Sequence, residues 1–269
     1  MVTATTKPTI DEARSSELIC GLAPNSRLKL IGLGGVGCIV LEYLAIFLRS
    51  LDIPIRLVLI DGDKFEPSNT SRMGFHELGE KANVKAAEIT HTLESSEVVV
   101  VPIAEYVNRE NIERLIRPGD HVFVCVDNHP TRRLIAEHCA GLASVALFSG
   151  GNDGVNPPHE RGTYGNVQIH IRQDGNDLTV PITRYHPEIA QAEGDLPGGP
   201  NCGQLAESLP QILFANLAVA SAMLNAFFAY SCGRLAYQEV QFDILEARAL
   251  PQFPLKPNQL PQPLPAPPE

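Results

Sequence analysis

Between residues 27 and 150 the chain alternates short, almost continuously apolar runs with longer stretches of mixed pattern. The runs RLKLIGLGGVG, IRLVLID, EVVVVPIAEYV, HVFVCVDN and SVALFSGG predict strands buried on both faces. The third is expected to break at Pro102. GCIVLEYLAIFLRSL, NVKAAEITHTLES, RENIERLIRPGD and HPTRRLIAEHCAGL predict the helices between them. The first is apolar enough to be packed on both faces, and Pro-Gly stops the third. Strict strand–helix alternation predicts a Rossmann-like α/β fold: a doubly wound, mainly parallel sheet with helices on both faces.

After residue 150 the pattern changes. VQIHIRQ alternates as an antiparallel strand does, and YQEVQFDILEARAL predicts one more strand or a hairpin. A long helix is expected over 204–230. Its segment ILFANLAVASAMLNAFFAY is near the minimum length for a membrane span, but Asn216, Ser221 and Asn225 interrupt it and Cys-Gly-Arg ends it. A buried helix is the expectation. The chain therefore divides into an N-terminal arm (1–26, with a short helix near 12–20), one domain over 27–250 with halves 27–150 and 151–250, and a proline-dense, polyproline-II-like tail (251–269).

Composition narrows the function. A net charge of −10 and a pI near 5.3 argue against a broad nucleic-acid or anionic-membrane surface, while leaving room for a small basic pocket. Six cysteines (20, 38, 125, 139, 202 and 232) are scattered without any CxxC. That spacing suits a reduced, cytoplasmic protein better than a disulfide scaffold. The first residues carry no apolar stretch of signal-peptide type, so none is expected.

Gly32-Leu33-Gly34-Gly35-Val36-Gly37 matches G-x-G-x-x-G between a strand and a helix. Glycines there let the backbone approach an anion and aim free N–H groups and the helix dipole at it. Asp61 ends the second strand, where an acid reaches ribose hydroxyls, and Asp63 follows. A nucleotide is expected, but a dinucleotide needs little more than this. The chain adds Ser68, Asn69 and Arg72 in one turn, Lys85 in the next helix, Asp127 and Asn128 at a later strand end, and Arg132 one turn beyond. Strand carboxyl ends share one rim, so Asp61 and Asp127 should face one crevice. Cations beside an acid suit an ATP–Mg²⁺ complex.

GLGGVG, LIDGDKFEPSNTSR, NVK and VDNHPTR, taken together, resemble the successive motifs of the ThiF/MoeB/HesA family, bacterial relatives of ubiquitin-activating enzymes. The likeness is strong over 27–150 and weaker through the long helix. Within the family it is similar to the ThiF-type protein of the PRTRC gene group. The resemblance implies that Gly35 approaches the nucleotide, Asp61 binds ribose, and the Ser68–Arg72 turn wraps the nucleotide with Arg72 on phosphates. It also implies that Lys85 neutralises the α-phosphate region and that Asp127 holds Mg²⁺ with Asn128 beside it. The implied reaction is ATP-dependent adenylation of the C-terminal carboxylate of a small ubiquitin-like or sulfur-carrier protein by a homodimer. The PRTRC likeness adds a conjugating-enzyme-like protein as a further partner.

The family's arginine-bearing N-terminal segment is not recognisable here, and Arg14 is the nearest candidate. The CxxC pairs that bind zinc in many members are absent, so no structural zinc is expected. Cys202 follows a Gly/Pro-rich loop just before the long helix. A thiol near a helix N-terminus can become the thiolate nucleophile, and the family places its acceptor cysteine there. The residues after it, LAESLP, depart from the family pattern. Two other readings stay open: a NAD-dependent oxidoreductase or nucleotide-binding regulator on the same fold, and a non-catalytic scaffold for a ubiquitin-like partner.

Overall fold

The structure, a computed structural model, describes residues 18–71, 74–156, 158, 160–198 and 211–254. In chain order these form β1 (Ser26–Ile31), α1 (Gly35–Arg49), β2 (Ile55–Ile60), a 3-10 turn (Pro67–Ser71), α2 (Lys81–Thr90), β3 (Val98–Ile103), α3 (Ile112–Leu115) and β4 (His121–Val124). Then follow α4 (His129–Gly141), β5 (Val145–Asn152), β6 (Val155–Asn156), β7 (Glu160–Arg161), β8 (Tyr164–Gln173) and β9 (Asn176–Asp177). A 3-10 turn (Ile182–Arg184), α5 (Pro187–Ala190), α6 (Leu213–Ser231), β10 (Glu239–Asp243) and β11 (Arg248–Gln252) complete the described chain.

One mixed sheet carries the fold, in the order β11-β10-β8-β5-β4-β1-β2-β3, with β9 paired to β8. The five strands from β3 to β5 are parallel, and β8, β10 and β11 extend the sheet antiparallel. The expected doubly wound α/β architecture with an antiparallel extension is what forms. Successive residues of a strand point to opposite faces, and two cores result. Leu28, Leu30, Leu57, Leu59, Phe123 and Phe148 face α1, α2 and α6. Ile31, Val58, Ile60, Val122, Val124 and Leu147 face α3 and α4.

Five expectations are corrected. β3 does not break at Pro102, which pairs with Leu59 inside the strand. As an edge strand, β3 needs N–H donors toward one neighbour only, so a proline is tolerated. α1 is not packed on both faces: Tyr43 and Ile46 are exposed. α2 starts at Lys81, ahead of the expected Asn83. α6 is buried on one face only. Ala215, Val219, Met223 and Phe227 face inward, while Phe214, Leu217 and Phe228 are exposed. Among the described residues it is the one helix long and apolar enough to cross a membrane by length and composition. It packs on α1, β5 and β8. β11 also reaches Gln252, two residues into the stretch read as tail.

Two features hold α6 against the sheet. Phe227 packs edge-on against Phe123 and Phe148, with ring centroids 5.1 and 5.8 Å away. Each such pair adds about 0.5–1.5 kcal/mol beyond area burial. Gly150 of β5 lies under the helix. A Cβ there would come within 2.8 Å of Val219 and Met223 side-chain atoms, so any larger residue would push α6 off the strand.

Candidate nucleotide site

The chain visits β1, β2 and β3 in one direction and then crosses back to place β4 on the other side of β1. At such a switch point the loops after β1 and β4 diverge and leave a crevice at the strand carboxyl ends. The loop after β1 is the glycine stretch, and the loop after β4 carries Asp127. They touch. Gly32 has φ +90°, and a Cβ there would sit 2.8 Å from the Cys125 carbonyl carbon. Only glycine meets both demands. A Cβ on Gly37 would collide with the Gly32 carbonyl oxygen, so this glycine lets the helix start tightly against the loop. Beside Gly34 there is open space, and α1 starts at Gly35 with no side-chain cap. Its first-turn N–H groups are the donors an anion would take.

Asp61 organises the loop from the next strand. Its Oδ2 accepts the Leu33 N–H at 2.5 Å and its Oδ1 the Asp63 N–H at 2.8 Å. Burial pushes its pKa up, against the pull of the Lys81 ammonium and these two amides. Asp63 accepts from Lys81 Nζ at 2.9 Å and from the Tyr106 hydroxyl. Burial alone would raise its pKa, but those two bonds hold it below the ordinary carboxylate value. The chain after α5 approaches this rim: Gly194 lies against Pro130 and Gly198 against Tyr106.

The structure distributes the remaining sequence candidates unevenly. Ser68 and Asn69 lie in the Pro67–Ser71 turn, where Asn69 Oδ1 accepts the Glu66 N–H at 3.0 Å. Asp127 is exposed in the β4–α4 loop and forms no ion pair within 4 Å among the described residues. Asn128 caps α4, its Oδ1 accepting the Thr131 N–H at 2.9 Å, so that oxygen serves the helix. Arg132 differs most from expectation. Its guanidinium is buried and donates to the carbonyls of Val126 and Gly150 and to Ser149 Oγ, at 2.6–3.0 Å. In this structure it ties the ends of β4 and β5 together. Arg14, Arg72 and Cys202 lie outside the described residues.

Lys85 also stands apart from the acids. Its Nζ pairs with Glu88 at 2.6 Å, donates to the Gly74 carbonyl, and lies 5.6 Å from the Phe65 ring centroid. The cation beside Asp61 and Asp63 is Lys81, the first residue of α2, whose side chain is 9 % exposed. Sequence reading missed it because the helix was started two residues late, which placed Lys81 in a loop.

Among the described residues no group of three His, Cys, Asp or Glu side chains is arranged to hold a metal. Asp127 is an exposed hard-oxygen ligand that makes no ion pair among the described residues. That suits an Mg²⁺ ion held by one carboxylate together with phosphate oxygens and water.

A model of the ThiF family matches residues 22–238. Over 123 residues the chain is 38% identical to the adenylyltransferase and sulfurtransferase MOCS3 of Xenopus laevis, a match covering 45% of this chain and 26% of that protein. It is 30% identical over 169 residues to the molybdopterin-synthase adenylyltransferase of Escherichia coli, covering 62% of each. It is 30% identical over 118 residues to the SAMP-activating enzyme E1 of Haloferax volcanii, covering 43% of this chain and 42% of that one. The chain thus matches about a quarter of MOCS3 and under two thirds of the other two. By fold it is similar to E. coli MccB, solved with ATP, at a TM-score of 0.59 and 16% identity over 85% of this chain and 64% of that one. PaaA gives 0.58 and 18% over 86% and 64%.

Proposed function

The chain belongs to the ThiF family, and on that footing we propose that it adenylates the C-terminal carboxylate of a small ubiquitin-like or sulfur-carrier protein. The observation that carries this reading is the meeting, at one switch point, of an uncapped helix N-terminus, the Asp61–Asp63–Lys81 set and the exposed Asp127. The matched relatives with adenylyltransferase and activating-enzyme names support it.

In the reaction, a carboxylate oxygen attacks the α-phosphorus of ATP. The acyl–phosphate bond forms, the α–β phosphoanhydride breaks, and pyrophosphate leaves with the electron pair. The incoming carboxylate is already ionised at neutral pH, so the chain need supply no general base. Its work is positioning and charge compensation. The α1 amides hold phosphate oxygens, Asp61 shapes the loop and binds ribose, and Lys81 and Lys85 offset phosphate charge. Asp127 would hold Mg²⁺, which when bound offsets the charge that gathers on pyrophosphate.

Three finer elements belong to the same reading. Cys202 takes the activated acyl group as a thioester, displacing AMP. The protein is a homodimer, supported by the apolar side chains that α1 and α6 leave exposed. Its partners include a conjugating-enzyme-like protein of the PRTRC type.

ATP–pyrophosphate exchange with candidate ubiquitin-like proteins tests the core of this. Exchange that depends on the partner's C-terminal carboxylate supports adenylation. ATP binding without exchange for any such partner would leave a scaffold instead. A non-reducing gel then tests Cys202: an ATP-dependent, thiol-labile adduct should form in the wild type and vanish in Cys202→Ala. Persistence of that band would move the nucleophile elsewhere.

A further inference from the structure

Asn216 is the fourth residue of α6 and is 0 % exposed. Neither its Nδ2 nor its Oδ1 has a hydrogen-bond partner among the described residues. Among the described residues with unpaired buried polar atoms, it is the one with both ends of its side chain unpaired. Buried polar groups are nearly always partnered, and an orphaned one costs stability. An alanine here would continue the small, apolar inner face made by Ala215, Val219 and Ala220 and would be the better helix former. A residue that breaks local rules at a stability cost is a mark of function.

The direction of the side chain says which function. A Cβ built on Gly35 would collide with Asn216 Nδ2 and would lie 3.4 Å from Gln211 Oε1. The carboxamide therefore rests on the first residue of α1, at a helix start that has no side-chain cap. Gly150 makes this possible by letting α6 settle onto β5. Open space beside Gly34 leaves the loop approachable from that side, and half-buried Gln211 flanks the amide.

We infer that Asn216 is a nucleotide-binding residue whose Nδ2–H donates to a phosphate oxygen alongside the first-turn amides of α1. The inference rests on the adenylation reading for the identity of the ligand as a nucleotide. A carboxamide adds a donor to an anion site without adding charge, and it reaches the site from a helix that the glycine motif does not include. Gly35 is then needed for a second reason: its missing side chain is the space the amide occupies.

The test uses the full chain with Asn216→Ala and Asn216→Asp. Melting is followed without ligand, and ATP, AMP and adenosine are titrated calorimetrically. The expected result for Asn216→Ala is a melting temperature equal to or above wild type, ATP and AMP affinities lower by about ten- to a hundredfold, and unchanged adenosine affinity. Asn216→Asp, which sets a carboxylate against the phosphate, should bind ATP more weakly still. Unchanged ATP affinity in Asn216→Ala overturns the inference. So does an equal loss for all three ligands, or a lowered apo melting temperature with wild-type affinity, since each means a packing role. If the wild type binds none of the three, the adenylation reading falls and this inference with it.

Discussion

Asp61 accepts the backbone N–H of Leu33 at 2.5 Å, joining the end of β2 to the middle of the glycine loop after β1. The acid that the sequence marks for ribose is thus also the brace of the loop. Leu33 is 0 % exposed, so its N–H finds no water if the carboxylate is removed. Asp61→Ala should destabilise the protein by about 1–3 kcal/mol, the cost of a buried orphan donor. Asp61→Asn keeps one acceptor for two donors and should lie between wild type and Asp61→Ala. Urea unfolding measures both, and a wild-type midpoint for Asp61→Ala would show that the brace is dispensable.

Lys81 and Lys85 make different contacts, and their replacement should divide accordingly. Lys81→Met removes the cation beside Asp61 and Asp63 and should lower pyrophosphate exchange by roughly ten- to a hundredfold. Its effect on stability should stay below about 1 kcal/mol, because Asp63 is 43 % exposed and solvent screens the pair. Lys85→Met should lower exchange less. The reverse order would return the phosphate role to Lys85 and require its side chain to leave Glu88.

Asp127 offers the cleanest separation of function from folding. It is exposed and forms no ion pair among the described residues, so Asp127→Ala should change stability by no more than about 0.5 kcal/mol. Exchange should fall by several orders of magnitude if this carboxylate holds Mg²⁺ against the departing pyrophosphate. Near wild-type exchange at ordinary Mg²⁺ would remove Asp127 from the site.

His186 makes stability depend on pH. It is 7 % exposed, its Nδ1 lies 2.5 Å from Glu188, and its Nε2 lies 3.2 Å from Glu239, a charge contact without hydrogen-bond alignment. Burial pulls its pKa down, but the two carboxylates outweigh that and raise it above the ordinary imidazole value. Folding therefore favours the protonated ring. Its contribution is fully present below about pH 6.5 and is lost as pH rises through the raised value. His121 and His170, lowered by burial, act in the opposite sense. The check is the difference between wild type and His186→Gln, which should shrink between pH 6 and pH 8.5. A constant difference would mean that folding leaves the ring's pKa unshifted.

The sequence alone determined the parallel half of the sheet, because strands buried on both faces leave continuous apolar runs and the glycine stretch has a use only between a strand and a helix. The same local logic placed Asp61 and Asp127 on one rim, since parallel strands all end on the same side. Other features were set by partners distant in the chain. Pro102 reads as a strand breaker until β3 is known to be an edge. Arg132 reads as a phosphate ligand until the carbonyls of Val126 and Gly150 are seen to take its donors. Lys81 and Lys85 are both basic residues near one glycine, and only the helix start and its packing tell which faces the acids. Asn216 reads as a polar interruption in an apolar helix. Its burial against Gly35, 181 positions earlier, exists only because Gly150 lets α6 close onto β5. Periodicity records which side of an element is buried. What that side meets is decided by tertiary packing.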